Sequence, residues 1–211
     1  VVSVKADDIT YGQNATVRVL LPVGTSGNVT IWVDNKKYEN ITVASNGVAV
    51  LENINGLAGG SHKVNVTYNG CSLYLPKDGN TTLFVNPTSN WKMNLAADEH
   101  PYGENTTINI TFGDFHVSGK NVTINISGVV YTVNITNGSA VLKLDNLTAG
   151  LHDANVTYSG DANYSSKLQK FNLHIVKAQP TINLTIENGV VYANVTGKNL
   201  TGNVTFYANG Q

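Results

Sequence analysis

Two stretches of this chain occur twice at a spacing of about 90 residues, and that spacing restricts the fold more than any other feature. Ala6-Asp7-Asp8-Ile9-Thr10-Tyr11-Gly12-Gln13-Asn14 returns as Ala97-Asp98-Glu99-His100-Pro101-Tyr102-Gly103-Glu104-Asn105. Gly60-Ser61-His62-Lys63-Val64-Asn65-Val66-Thr67-Tyr68 returns as Gly150-Leu151-His152-Asp153-Ala154-Asn155-Val156-Thr157-Tyr158. A period of that length suits one sandwich domain per copy. A third copy begins after Ala178-Gln179-Pro180, where Gly202-Asn203-Val204-Thr205 echoes Gly27-Asn28-Val29-Thr30. About three strands of it are expected before Gln211, so the chain reads as a piece of a longer protein. The expected division is 1–88 and 89–178 for two full repeats and 179–211 for the partial third.

Within each repeat the hydrophobic period is two. Asn121-Val122-Thr123-Ile124-Asn125-Ile126-Ser127 places Val122, Ile124 and Ile126 on one face and polar residues on the other, the mark of a half-buried strand. The same alternation runs through 15–21, 28–33, 63–68, 106–112, 129–135 and 140–144. Asn46-Gly47, Asn137-Gly138 and Ser159-Gly160-Asp161 supply turns between them. No segment sustains a helical period. About seven short strands per repeat predict an all-β fold: tandem immunoglobulin-like antiparallel β-sandwiches, the third incomplete.

Composition narrows the partners. Charged residues are only 13% of the 211, roughly half the usual share. A net charge of −1 offers no attraction for nucleic acid or an anionic membrane. No apolar run is long enough to cross a bilayer, so no membrane insertion is expected within this piece. The absence of a signal peptide is neutral, because a secreted precursor loses it. Cys71 is the single cysteine, so neither an internal disulfide nor a cysteine-based zinc site is available. That leans toward a prokaryotic surface protein rather than a disulfide-stapled eukaryotic one.

What replaces charge is asparagine and threonine. Eighteen Asn-x-Ser/Thr triplets begin at Asn14, Asn28, Asn40, Asn65, Asn80 and Asn105, at Asn109, Asn121, Asn125, Asn134, Asn137 and Asn146, and at Asn155, Asn163, Asn183, Asn194, Asn199 and Asn203. Chance pairing of 29 Asn with this content of Ser and Thr gives roughly five. In most triplets the middle residue is Val, Ile or Leu, so an inward residue lies between two outward polar ones. Strand geometry explains that spacing but not the choice of Asn, which strands disfavour. Dense N-glycosylation is therefore expected, and bulky sugars would solubilise a weakly charged surface and shield sheet edges.

Tyr-Gly-x-Asn near the start of each repeat, an interior Gly-Asn-Val-Thr strand and Val156-Thr157-Tyr158-Ser159-Gly160-Asp161-Ala162-Asn163-Tyr164 near the end form a frame. It resembles the bacterial immunoglobulin-like (Big) repeats of adhesin-like surface proteins from methanogenic archaea and some bacteria. The resemblance covers both full repeats and implies an extracellular, cell-surface location and a non-catalytic role in adhesion. Repeat one departs from the frame, because Cys71 stands where the second has Asp161.

Chemical candidates are few. His62 and His152 recur at matching positions, as scaffold residues do, whereas His100, His116 and His174 do not recur and show no ligand spacing. Asp161 and Asn163 read as a polar turn rather than a calcium site, which needs six to eight oxygens. Asp7, Asp8, Asp98 and Glu99 lie near the junctions, where a bridging cation is a weaker alternative to plain surface charge. Lys5 and Lys92 are candidates for an isopeptide brace with no acid partner to name. Cys71 reads as a small, buried, inert residue, with a cross-link between two chains as the weaker alternative. No hydrolase elbow, phosphate loop or dinucleotide fingerprint occurs, and no catalytic, cofactor-binding or metal-ligating residue is assigned. Trp91 stands where the second repeat begins and is expected to pack against the end of the first. Trp32 alternates with Ile31 and Val33, is expected to face outward, and is the one candidate ligand contact, by stacking on a sugar.

The expected function is that of stalk modules presenting or mediating adhesion, with Pro87 stiffening a short junction. Partners would be the chain's own N-linked glycans and glycans or proteins of a host or partner cell. Alternatives are wall- or glycan-binding accessory modules of a larger surface enzyme, and subunits of a surface filament joined by strand exchange.

Overall fold

The computed structural model describes residues 2–113, 117 and 119–208. In chain order the first repeat contains β1 (Ser3–Ala6), β2 (Ile9–Thr10), β3 (Ala15–Leu20), β4 (Asn28–Val33), β5 (Lys36–Thr42), β6 (Val48–Ile54), β7 (Gly60–Tyr68) and β8 (Lys77–Asn86). The second contains β9 (Met93–Ala97), β10 (His100–Pro101), β11 (Thr106–Phe112), β12 (Asn121–Ile126), β13 (Val129–Asn134), β14 (Ser139–Leu144), β15 (Gly150–Tyr158) and β16 (Lys167–Val176). A hairpin of β17 (Thr181–Glu187) and β18 (Val190–Thr196) follows. The chain forms two compact units, one of Val1–Trp91 with Ser159–Lys167 and one of Lys92–Tyr158 with Leu168–Gln211.

In the first unit a three-stranded sheet, β1-β3-β6, and a five-stranded sheet, β2-β8-β7-β4-β5, share one core. Alternate residues of each strand supply it: Val17 and Val19 from β3, Val29 and Ile31 from β4, Val64 and Val66 from β7, and Leu83 from β8 are all essentially inaccessible. Fully burying each such side chain is worth about 1.5–3 kcal/mol before entropy is subtracted. The second unit repeats the design, with sheets β14-β11-β9 and β10-β16-β15-β12-β13. Its core holds Ile108, Ile110, Phe112, Val122, Ile124, Val156 and Tyr158, with the Phe112 and Tyr158 rings edge to face at 5.7 Å. Both are immunoglobulin-like sandwiches of eight strands, antiparallel apart from one short parallel pairing in each.

The eighth strand, against about seven expected, comes from splitting the first. β1 pairs antiparallel with β3, and after Asp7 and Asp8 the chain changes sheet so that β2 pairs parallel with β8. β9 and β10 do the same with β11 and β16. The Tyr11 N–H then donates to the Asn86 carbonyl and the Tyr102 N–H to that of Val176, both at 2.8 Å. Gly12 and Gly103 turn the chain at φ of +90° and +100°, a region where glycine carries no steric penalty. The first repeated nonapeptide is thus the sheet-switching segment, and its Tyr-Gly is the turn that ends the switch.

The segment Ser159–Lys167 completes one end of the first unit. Thr88 exchanges backbone hydrogen bonds with Asn163 and Ser165 at 2.9 Å. Tyr164, 2% exposed, sets its ring edge to face against Tyr11 at 5.4 Å and Trp91 at 6.1 Å. Trp91 is buried as expected and donates its indole N–H to the Ser165 carbonyl at 3.1 Å. Of the third copy, two strands are present among the described residues rather than about three. They pair from Thr181↔Thr196 to Glu187↔Val190.

Candidate functional site

Trp32 and eight of the eighteen acceptor asparagines (Asn28, Asn40, Asn65, Asn80, Asn121, Asn125, Asn134 and Asn155) lie in strands of the five-stranded sheets. In β4 the inward residues Val29, Ile31 and Val33 leave Asn28 and Trp32 half-buried on the other side of the sheet, where Thr30 between them is buried. In β7 the inward set is His62, Val64, Val66 and Tyr68, leaving Lys63, Asn65 and Thr67 outside. The register places Trp32 directly opposite Asn65 on one side and Lys37 of β5 on the other, and Asn65 opposite Asn80 of β8. A single row, Asn80–Asn65–Trp32–Lys37, therefore crosses four strands. The Lys37 ammonium lies 5.7 Å from the Trp32 ring centroid and also pairs with Glu39. Trp32 is half-buried and faces outward, as its alternation predicts.

All eighteen acceptor asparagines lie among the described residues and none is buried. Asn28, Asn125, Asn155 and Asn163 are half-buried and the other fourteen are exposed. Several face each other across strands: Asn65↔Asn80, Asn121↔Asn134, Asn125↔Asn155 and Asn183↔Asn194. The Asn14 side-chain amide donates to the Asn53 side-chain oxygen at 3.5 Å, and that of Asn28 to the Asn40 side-chain oxygen at 3.4 Å. Four acceptors have a backbone reason to be Asn. Asn40, Asn137, Asn146 and Asn199 adopt φ between +48° and +64°, a left-handed conformation that asparagine tolerates better than most residues. Asn109 is exposed in mid-β11 and Asn105 just precedes that strand, while Asn203 lies beyond the hairpin.

Asn163 is more constrained than the rest, because its side-chain oxygen accepts the Gly59 N–H at 2.6 Å. The neighbouring Asp161 carboxylate accepts the N–H groups of Asn163 and Tyr164, both at 2.8 Å. That arrangement is a polar turn. Asp8 accepts the Phe84 N–H at 3.0 Å, and at the matching place Glu99 pairs with His174 at 2.6 Å. Among the described residues no three His, Cys, Asp or Glu are gathered where they could share a metal. Lys5 and Lys92 are exposed.

The recurring histidines bridge strand to loop. His62 Nε2 faces the Ala58 carbonyl and His152 Nε2 that of Thr148, both at 2.7 Å. The second nitrogen differs between repeats: His62 Nδ1 meets Asp34 at 2.7 Å, whereas His152 Nδ1 meets the Ser127 hydroxyl at 3.3 Å. Burial pulls His62 down, but the Asp34 carboxylate and the Ala58 carbonyl outweigh it, and its pKa lies above the ordinary 6.5. Asp34 is held below its ordinary value, chiefly by the His62 bond. His100 contacts the Thr106 hydroxyl at 2.8 Å. His116 lies outside the described residues.

Cys71 departs from the expectation of a buried, inert thiol. It is half-buried, and its pKa is pulled down to about 7 by the Tyr68 hydroxyl first and the Leu73 N–H second. The loop after β7 curls back so that the Leu73 N–H points at the sulfur from 3.4 Å. The Tyr68 hydroxyl, itself pushed up to about 12 by burial, gives its one hydrogen to the Ser26 carbonyl at 2.7 Å, so a thiolate competes with that carbonyl for it. Sequence reasoning had no signal for this, since it depends on the curl of the loop.

No protein-family model and no curated protein sequence matches the chain. Among solved structures the chain is similar to a two-domain fibronectin type III segment of chicken tenascin, at 13% identity, covering 82% of this chain and 97% of that one, with a TM-score of 0.49. It is similar to the amphioxus IgVJ-C2 molecule at 18% identity, over 79% and 98% of the two chains, with a TM-score of 0.46. Similarity to the Yersinia pseudotuberculosis adhesin InvE covers 90% of this chain and 73% of that one, at 15% identity and a TM-score of 0.42. The fold assignment rests on the strand order and register described above.

Proposed function

We propose that this chain is a run of immunoglobulin-like modules from an extracellular, adhesin-like surface protein, clad in N-linked sugar and serving to space or present an adhesive part. The observation that carries the reading is the placement of the sequons. Eighteen acceptor asparagines fall in a chain where chance supplies roughly five, and every one of them reaches the surface at least partly. Sugar at these positions would solubilise faces that hold few charges, and would cover the edge strands β5 and β13 against pairing with other chains. The reading assigns no catalytic step.

The decisive experiment is site-resolved mass spectrometry on the protein recovered from its own cell surface. Sugar on most of the fourteen exposed sequons is expected, and a bare chain would sink the reading. A second reading, in which the modules themselves grip a glycan, is favoured by one observation, the outward Trp32. A screen of the natively glycosylated chain against glycan arrays, wall polymers and cells separates the two. Saturable binding lost in Trp32→Ala would make these modules adhesive, whereas no binding leaves them as spacers.

A further inference from the structure

From the row Asn80–Asn65–Trp32–Lys37 we infer that Trp32 is the platform for the chain's own sugar. The first pyranose attached to the Asn65 side-chain nitrogen lies with its apolar C–H face on the Trp32 indole. The inference rests on the glycosylation proposed above and names the intramolecular partner of one of its sites.

Directly opposed residues of an antiparallel pair hold their Cβ atoms about 4.5–5.5 Å apart. Trp32 and Asn65 are such a pair, both on the outward side of the sheet. A sugar on the Asn65 amide starts within one ring-width of the indole. Two other directions are less open to it. Toward β8 it meets Asn80, itself an acceptor directly opposite. Along its own strand it meets Lys63 and Thr67, and the Thr67 hydroxyl is committed to Asp78 at 2.7 Å. The indole offers a flat apolar face with a negative centre, which suits the weakly positive axial C–H groups of a pyranose.

A large, half-exposed tryptophan in the middle of a polar sheet face otherwise costs solubility, because exposed apolar area of this kind attracts other surfaces. Lys37 approaches the same ring from β5, so lysine and sugar would flank it from the two neighbouring strands. The second module offers a built-in contrast. Asn125 stands there where Trp32 stands in the first, opposite Asn155 across the matching strands. Sugar on Asn155 has no aromatic neighbour at that position.

The test uses the natively glycosylated full chain, the same chain after enzymatic removal of its sugars, and the variants Asn65→Gln, Trp32→Ala and Trp32→Phe. Three readouts apply: nuclear Overhauser contacts between indole and first-sugar protons, quenching of tryptophan fluorescence by acrylamide, and melting temperature. Trp91 is 7% exposed, so quenching reports chiefly on Trp32. We expect indole–sugar contacts with upfield-shifted sugar protons in the native chain, and quenching that rises in Asn65→Gln and on deglycosylation. Sugar removal should lower the melting temperature of the native chain by roughly 2–4 °C more than that of Trp32→Ala, with Trp32→Phe intermediate. Sugar on Asn65 with no indole contact and equal melting shifts in both chains overturns the inference and leaves the glycosylation reading standing. A bare Asn65 in a chain glycosylated elsewhere overturns the inference alone, and a chain bare throughout overturns both.

Discussion

Cys71 and His62 show how two ordinary side chains acquire opposite pH responses within one sandwich. The thiol is lowered to about 7, so its contribution to stability is complete above its unfolded value and is lost as pH falls through 7. Its reactivity follows the same curve. Alkylation by iodoacetamide should reach half its plateau rate near pH 7 in the native chain, and Tyr68→Phe should move that midpoint up toward the ordinary 8.5. A native midpoint already at 8.5 would show that the Tyr68 and Leu73 donors do not act on the sulfur. His62 runs the other way. Both of its nitrogens face acceptors, which only the protonated ring can satisfy at once. Its folded pKa is raised, so its contribution is complete below about 6.5 and is lost as pH climbs through the folded value. Asp34 is lowered from 3.8, so its share is present above that value and is lost as pH falls through the folded one. In a Cys71→Ser background, which removes the opposing thiol, the urea midpoint of the first unit should fall as pH rises from 6 toward 9. Replacing His62 by Asn should flatten that fall, and a midpoint unchanged by pH in the histidine chain would refute the account.

At the level of elements, the least replaceable contact is where Gly59 meets the segment Ser159–Lys167. A Cβ added to Gly59 would stand 1.7 Å from the Ala162 carbonyl oxygen, with only backbone in the way, so something must shift. Gly59→Ala should lower the stability of the first unit by about 1–3 kcal/mol, as overpacking does. Gly113→Ala, whose new Cβ meets nothing nearer than 3.6 Å, serves as the control. Equal denaturation midpoints for the two variants would mean that the segment does not pack there. This contact was invisible in the sequence, because Gly59 and Ala162 are far apart along the chain and neither breaks a pattern. The regular strands were legible: alternation marks 28–33 and 106–112 with the bounds of β4 and β11. β5 and β6 were harder, since each carries an extra residue that breaks the period of two, near Asn40 and Asn53 with φ of +58° and +59°. The same bulge accounts for one acceptor asparagine that the triplet pattern alone could not distinguish from the others. The outward direction of Trp32 was readable from its neighbours, but its pairing with Asn65 needed the register.

For the molecule as a whole, local order should follow the amount of core beneath each strand. β7 and β15 lie between neighbours in five-stranded sheets and bury alternate residues completely or nearly so. The hairpin β17–β18 has the same alternation, with no second sheet over it among the described residues: Ile182, Leu184 and Ile186 share one face and are 54%, 62% and 73% exposed. An isolated two-stranded hairpin is marginally stable in water, because it orders its backbone without removing apolar area in return. Native-state hydrogen exchange should therefore split the chain. Amides of β4, β7, β12 and β15 should exchange only through global opening of their sandwich, while those of 181–196 should exchange through local fraying with protection near the floor. The repeat pattern marks the third copy as incomplete, but the alternation within its strands is the same as in the others, so the difference lies in tertiary burial and not in strand propensity. Protection in 181–196 equal to that in β15 would mean that the exposed apolar face is covered in solution. In that event the melting temperature of the chain should rise with protein concentration, as mass action requires when copies cover one another's surfaces.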